Sequence, residues 1–293
     1  MSTTTNRRQA SLRVRGLRRL LRQDPPTTVA GTVLLVIIVA AALAPLIAPY
    51  PSDGTTATHP AESLLGPSGA HWMGTDAVGR DILTRVLFGA RTSLLIAAAV
   101  LALSATVGTV LGCVAGYAGG WVSDVIMRVT DVFLAFPALL LSLALAVILR
   151  PGVGTAIIAI AATWWPWYAR LACSAANTIR HRAYIDSARC LGLPAWRIVA
   201  GHVLPNSMTP VTVQLSLDAG GVILTAAALS YLGLGAVEPT SEWGLMVQQG
   251  QTNFTTEWWI VTFPGLAILV TAFCFNMLGE GLRQILDPRK VTR

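Results

Sequence analysis

Six long apolar runs constrain the fold of this chain more than any other feature of its sequence. They cover approximately residues 29–48, 93–117, 132–149, 154–172, 208–234 and 261–278. A helix needs about 20 apolar residues to cross the roughly 30 Å hydrocarbon core of a bilayer, and lipid offers no partners to free backbone groups. Only 12% of the residues are charged, against about a quarter in soluble domains. The sequence therefore predicts an all-α, polytopic membrane protein with six transmembrane helices.

The distribution of basic residues orients these spans. Seven arginines precede the first span, between Arg7 and Arg22. With the N-terminus inside, only Arg80, Arg85, Arg91 and Arg150 lie outside, which leaves 17 of the 21 basic residues (21 minus 4) in the cytoplasm. Cytoplasmic loops carry such an excess. The sequence predicts cytoplasmic N- and C-termini, and the net charge of +7 reflects topology and not nucleic-acid binding.

Several enzyme classes lack their sequence signatures here. The only lysine is Lys290, and no phosphate-binding glycine-rich loop precedes it, so the chain does not hydrolyse ATP by that mechanism. The four histidines and four cysteines show no metal-binding spacing. No G-x-S-x-G nucleophile motif occurs. We expect no catalytic residue, metal or cofactor on this chain.

A polar segment at 173–207 separates the fourth and fifth apolar runs. Residues 184–191 can form two helical turns that end at Gly192, whose freedom at positive φ suits a helix stop. Pro194 suits the first turn of a second short helix over 195–201. Trp196, Ile198 and Leu191 are apolar anchors of the kind that dominate protein interfaces. The segment is either a docking knob for another protein or a plain solvated loop.

One acid lies deep in an apolar run. Asp218 is about ten residues into the fifth run, some 15 Å at 1.5 Å per residue. Gln214 precedes it, and Gly221 and Thr225 follow it, at helical spacing, and together they form a polar stripe. Such an acid costs roughly 2.5–3.5 kcal/mol on insertion scales and should face protein or water. The stripe either lines a translocation pathway or bonds to a neighbouring helix, and both alternatives remain open.

Three motifs carry a resemblance to a known family. Residues 74–94 read GTDAVGRDILTRVLFGARTSL, residues 186–192 read DSARCLG before the Leu204-Pro205 pair, and residues 275–289 read FNMLGEGLRQILDPR. These motifs resemble those of the C-type permease subunit of ATP-driven importers of dipeptides, oligopeptides and nickel. Asp186 replaces the usual Glu and Ser187 the usual Ala of the family's loop. The resemblance covers about residues 29–289.

The resemblance implies a type I importer permease fold in a bacterial inner membrane. It divides the chain into a cytoplasmic tail with an elbow helix (1–28), a transmembrane permease domain (29–289) and a short tail (290–293). That domain would include an external loop at 49–92 and a cytoplasmic coupling loop at 173–207. From the residues themselves, Ile82, Leu83, Val86 and Leu87 predict an amphipathic interfacial helix within the external loop.

The resemblance also implies partners. They are a second, related permease, one or two ATPase subunits that bind ATP and Mg, an external substrate-binding protein, and membrane lipid. The residues expected to dock the ATPase are Asp186, Ser187, Ala188, Arg189, Leu191, Gly192, Trp196 and Arg197. The leading prediction is a peptide importer permease, and nickel or another small solute is the alternative substrate. A stand-alone channel, a proton-coupled carrier and a membrane-embedded enzyme are weaker alternatives.

Overall fold

The computed structural model describes residues 25–286, and in this range it contains helices and no named strand. Its principal helices are α1 (Pro25–Ala42), α2 (Ile82–Ala118), α3 (Gly120–Leu134), α4 (Ala138–Leu149), α5 (Val153–Ile179), α6 (Ala183–Cys190), α7 (Ala195–Tyr231), α8 (Trp243–Gly250) and α9 (Trp259–Leu286). The predicted all-α class is confirmed. The elbow helix predicted before residue 24 lies outside the described residues.

Four of the described helices, α1, α2, α7 and α9, are long and apolar enough to cross a membrane. A fifth candidate is the pair α3 and α4, which is bent by 89° at a short break. The predicted third span, 132–149, is therefore not one straight helix. Pro137 lies at the break, where it cannot continue the helix before it.

The helix α5 has 27 residues, but its aromatic and proline-containing middle is too polar for composition alone to identify it as a span. That α5 crosses the membrane, which would bring the number of spans to six, therefore stays a prediction.

The second apolar run belongs to a longer helix than the sequence predicts. The helix α2 begins at Ile82, where Asp81 accepts a hydrogen bond from the Thr84 amide at 2.8 Å and caps it. Ile82 is fully buried. The helix predicted at Ile82–Leu87 is therefore not a separate element, because these residues form the first turns of α2, where Leu83, Val86 and Leu87 are partly buried. The last eleven residues of the predicted external loop, 82–92, are likewise helical.

Glycines bring α2 and α5 into close contact. A Cβ on Gly108, Gly112 or Gly116 would overlap the backbone oxygens of Trp165, Ala169 and Cys173, respectively. These three glycines repeat every four residues, so they share one face of α2, and small residues let helix backbones approach closely in lipid. The pair α2 and α5 forms the centre of the bundle, and α7 packs against both.

A buried polar network, the polar cap, covers the N-terminal end of α2. Asp76 accepts hydrogen bonds from Arg80 Nε and Arg85 Nη1, both at 2.7 Å, and from the backbone amides of Val78 and Arg80 at 2.9 Å. Asp76, Arg80 and Arg85 are all buried. Buried charges persist only when they are paired. This network therefore fixes the segment before α2 onto the helix bundle.

Candidate functional site

The short helix α6 packs against the bundle through one of its faces. Ile185 and Ala188 are buried and form a cluster with Cys113 of α2, Ala172 and Ala176 of α5, and Ile198 and Val203 of α7. A helix of eight residues is marginal in isolation, so this apolar contact stabilises it. The helix is thus attached to three others, and a force on it reaches all of them. Ala188, predicted to dock the ATPase, and Ile198, predicted as an interface anchor, both face the protein's own core instead, so neither prediction is correct.

The turn after α6 depends on glycine. Gly192 has a φ of 75°, in the left-handed region that β-carbon sterics disfavour. The Leu193 amide donates to the Ala188 carbonyl at 3.2 Å, which closes the helix end as in a Schellman motif. Pro194 then caps α7 with a φ of −67°. The helix stop and restart that the sequence predicts are both observed.

Large apolar side chains remain exposed on the outer surface of this region. Leu191 is 80% exposed and Trp196 is 66% exposed. The Arg197 guanidinium lies 5.1 Å from the Trp196 ring centroid, within cation–π range. Exposed Trp and Leu flanking a rigid turn are typical of interface anchors. These two residues form the centre of what we call the docking face, Leu191 to Arg197.

Three predicted docking residues, Asp186, Ser187 and Arg189, form contacts within the chain. Arg189 Nη1 donates to Asp186 Oδ1 at 3.0 Å, and Arg189 Nε donates to the Tyr117 hydroxyl at 3.4 Å. The Arg189 guanidinium also lies over the Tyr117 ring, 5.2 Å from its centroid. Ser187 is exposed, and its hydroxyl donates to the Ala183 carbonyl at 3.0 Å. Arg189 therefore ties α6 to the end of α2, a contact that the sequence alone did not indicate.

The second short helix predicted at 195–201 begins at Ala195 as expected, but its predicted end is wrong, because the helix continues beyond residue 201. The first turn, Ala195–Ile198, passes through a π-helical segment, Val199–Val203, into Leu204–Tyr231 without interruption. Together they form α7, which contains both Trp196 and Asp218. Twenty-two residues separate the two, which corresponds to about 33 Å along a helix. One element thus connects the docking face to the polar stripe.

The polar stripe has a partner on another helix. Asp218 Oδ1 accepts from Gln214 Nε2 and Asp218 Oδ2 accepts from the Tyr168 hydroxyl, both at 2.8 Å. Tyr168 belongs to α5 and is fully buried, whereas Asp218 is half-buried. Sequence analysis missed Tyr168, whose only signal was its place in an aromatic stretch. The carboxylate is therefore held between two donors, and part of it stays accessible.

Thr225 and Gly221 complete the stripe without joining this bond network. The Thr225 hydroxyl donates to the Gly221 carbonyl of its own helix at 2.8 Å. A Cβ on Gly221 would lie 3.1 Å from the Trp164 ring. The stripe therefore offers one acid and one amide, and Gly221 lets the Trp164 indole pack closely against α7. Among residues 25–286 no group of three His, Cys, Asp or Glu side chains could hold a metal ion.

Family models match the chain over most of its length. Residues 108–292 match the model described as the inner membrane component of binding-protein-dependent transport systems. Residues 13–67 match the model for the N-terminal transmembrane domain of oligopeptide transport permease C. The first match includes α6, the docking face and the polar stripe.

Curated relatives cover a similar range. The chain is 45% identical over 226 residues to the probable D,D-dipeptide transport system permease protein DdpC of Escherichia coli (strain K12), covering 77% of this chain and 76% of that protein. It is 43% identical over 246 residues to the dipeptide transport system permease protein DppC of Alkalihalophilus pseudofirmus, covering 84% and 80%. It is 42% identical over 224 residues to the glutathione transport system permease protein GsiD of Pectobacterium atrosepticum, covering 76% and 74%.

These matches confirm the resemblance that the three motifs indicated, and with it the type I importer permease fold. The four or five candidate membrane-spanning helices of residues 25–286 agree with the description of an inner membrane component. The chain belongs to the family of inner membrane components of binding-protein-dependent transport systems.

Proposed function

We propose that this chain is a permease subunit of an ATP-driven importer that moves short peptides across the plasma membrane. The observation that carries the proposal is the docking face, where Leu191 and Trp196 are exposed on a turn that is fixed to α2, α5 and α7. The relatives named for dipeptide, D,D-dipeptide and glutathione transport support peptides as the substrate class.

ATP and Mg would bind to separate ATPase subunits that dock at this face. A related second permease would complete the pathway, and an external binding protein would deliver the substrate. When ATP draws the ATPases together, the docked knobs move with them and shift the bundle between inward-open and outward-open populations. The chain itself contributes no catalytic group.

Uptake by the reconstituted complex tests the proposal. The permease is co-expressed with its neighbouring permease and ATPase genes, purified, and placed in liposomes with the binding protein outside and ATP inside. We expect ATP-dependent accumulation of a labelled dipeptide or tripeptide, and none with the permease alone. Accumulation without any ATPase would favour the channel or carrier alternative. ATP-dependent uptake of Ni²⁺ without any peptide uptake would overturn the substrate class.

The membrane orientation is part of the proposal. With the docking face inside, a cysteine replacing the exposed Ser68 in an otherwise cysteine-free chain should react with an impermeant maleimide in intact cells. A cysteine replacing the exposed Thr178, near the inner end of α5, should react only after permeabilisation. Labelling of residue 178 in intact cells would contradict this orientation. Ser241 is a poor reporter, because it is buried and bonded to the Gly54 carbonyl.

The two interpretations of Asp218 can be separated with a pair of variants. Asp218→Asn removes the charge, whereas Tyr168→Phe removes the interhelical bond and keeps the charge. If the carboxylate contacts substrate in the pathway, Asp218→Asn should lower uptake at least tenfold while Tyr168→Phe stays near wild type. Interhelical hydrogen bonds in membranes average about 0.6 kcal/mol, so neither variant should prevent assembly. Equal losses in the two variants would show that the bond, and not the charge, is required.

A further inference from the structure

A cavity of about 410 Å³ opens where the inner ends of α2 and α5 meet the start of α3. Its polar lining consists of Ser123, Asp124, Arg170, Ser174, Asn177 and Arg180. The cavity lies on the same side of the bundle as α6, since Arg180 is three residues before that helix. It is separate from the docking face and from the polar stripe, and no role described so far uses it.

The charges in this cavity are only partly neutralised. Arg170 is ion-paired with the exposed Asp131. Arg180 donates from Nε to His181 Nε2 at 3.0 Å and from Nη1 to the Gly116 carbonyl at 3.4 Å. Within residues 25–286 neither Arg180 nor Asp124 forms an ion pair. The cavity therefore presents one unpaired cation and one unpaired acid to a ligand.

The turn between α2 and α3 positions the Arg180 guanidinium. Gly119 and Gly120 have φ values of 66° and 52°, which other residues rarely adopt. A Cβ on residue 119 would overlap Arg180 Nη1. Glycine at this position thus lets the guanidinium lie directly against the turn, at the N-terminus of α3.

An apolar row leads away from the cavity along α3. Trp121 is 76% exposed, and Val125, Val129 and Val132 are 46–60% exposed. Their spacing places them on one helical face. Tryptophan is enriched where a membrane meets water. A charged cavity next to an interfacial Trp and an apolar row matches an amphipathic molecule, with a polar head and an apolar tail, better than a free ion.

We propose that this cavity binds the headgroup of a phospholipid that carries a primary ammonium group, as in phosphatidylethanolamine. Arg180 would donate to the phosphate, Asp124 would accept from the ammonium group, and the acyl chains would lie along Trp121 and Val125. Basic pockets between spanning helices on the cytoplasmic side bind lipid headgroups, and charge-assisted bonds to phosphate are the strong ones. The assignment to the inner leaflet rests on the proposed docking function, because the cavity shares the side of α6.

Native mass spectrometry of the full-length chain, purified in its complex, tests the proposal. The complex is delipidated and then incubated with dioleoyl-phosphatidylethanolamine or dioleoyl-phosphatidylcholine, which share the phosphate and differ in the ability of the nitrogen to donate. We expect the wild type to retain the ethanolamine lipid about tenfold better, as one charge-assisted hydrogen bond would allow. Equal retention of the two lipids would overturn the proposal.

Three variants assign the contacts. Arg180→Gln should lower retention of both lipids about tenfold, through the lost phosphate contact. Asp124→Asn should bring the ethanolamine lipid down to the level of the choline lipid. Arg128→Gln is the matched control, because Arg128 is an exposed arginine of α3 outside the cavity lining, and it should retain lipid like the wild type. Wild-type retention in Arg180→Gln would overturn the assignment.

Two further results distinguish the lipid site from a simple anion site and from the proposed transport function. Inorganic phosphate at millimolar concentration should leave the lipid bound, and displacement by phosphate would show a simple anion site instead. Lipid retention is measured without transport or ATP. A complex that fails to import peptides but retains the ethanolamine lipid would contradict the proposed function and leave this inference supported.

Discussion

Replacement of Asp76 by alanine is expected to destabilise the protein by about 3–5 kcal/mol, the cost of breaking a buried ion pair. Asp76 is 3% exposed and is the shared acceptor of Arg80 and Arg85, which are 5% and 2% exposed. Without it, two adjacent guanidinium groups remain buried with little compensation. Arg85 Nε and Nη2 already lack a hydrogen-bond partner among the described residues. We expect a lower midpoint of thermal unfolding in detergent and a poor yield of monodisperse protein.

The exposed pair Asp131–Arg170 supplies a matched control. Both members are more than half exposed, and exposed ion pairs contribute about 0–1 kcal/mol. Asp131→Ala should therefore unfold close to the wild-type temperature. Asp76→Asn should fall between the two, because the amide keeps one oxygen for the arginines. Equal stability of Asp76→Ala and Asp131→Ala would show that the bonds of Asp76 to Arg80 and Arg85 do not stabilise the fold.

Substitutions at the docking face are expected to abolish uptake while membrane insertion continues. Trp196→Ala removes an exposed anchor and should cost about 2 kcal/mol of ATPase binding if Trp196 is a hot spot, or roughly thirtyfold in affinity. The measurement is the amount of ATPase that co-purifies with a tagged permease. Trp72→Ala is the control, because Trp72 is 71% exposed and lies before the N-terminal end of α2, far along the chain from the docking face. Full ATPase retention in Trp196→Ala would remove Trp196 from the interface.

Gly192→Val tests the geometry of the same face. Nothing lies within 4 Å of a Cβ at residue 192, but its φ of 75° is strained for any other residue. A β-branched residue is a particular outlier there. We expect the turn to rearrange and the ATPase to be lost. Gly154→Val is the control, since it also adds a side chain in open space but at an ordinary φ. Wild-type assembly in both variants would show that the turn need not be rigid.

The sequence predicted the helical class and the stop at Gly192 for sound physical reasons. Apolar run length decides what crosses a membrane, and a glycine after two helical turns has a local conformational meaning. It failed at the start of α2, where one apolar face of residues 82–87 predicted a separate amphipathic helix and the structure continues α2 through them. Arg85 is buried and paired with Asp76, nine residues earlier in the chain. Such a pairing depends on tertiary folding, which hydropathy does not describe.

The site shows the same division. Exposure of Trp196 and a structured turn could be inferred from local pattern, and both were. The partners of Arg189 and Asp218 could not, because Tyr117 and Tyr168 are 72 and 50 residues away along the chain. Their contacts depend on the register of α2 against α5 and of α5 against α7. The spacing of Gly108, Gly112 and Gly116 indicates close packing but not that register.

The continuity of α7 makes the phase between its two ends a fixed property of the chain. Successive residues of an α-helix are rotated by about 100° about its axis. Deletion of one residue between Trp196 and Asp218 would therefore change the angle between these two side chains about the axis by about 100°. The π-helical turn at Val199–Val203 holds one more residue than an α-turn would, and π-bulges frequently occur at functional sites. If the π-helical turn tightened to an α-turn while Trp196 stayed bound to the ATPase, Asp218 would rotate about the axis of α7 and face a different side of the bundle.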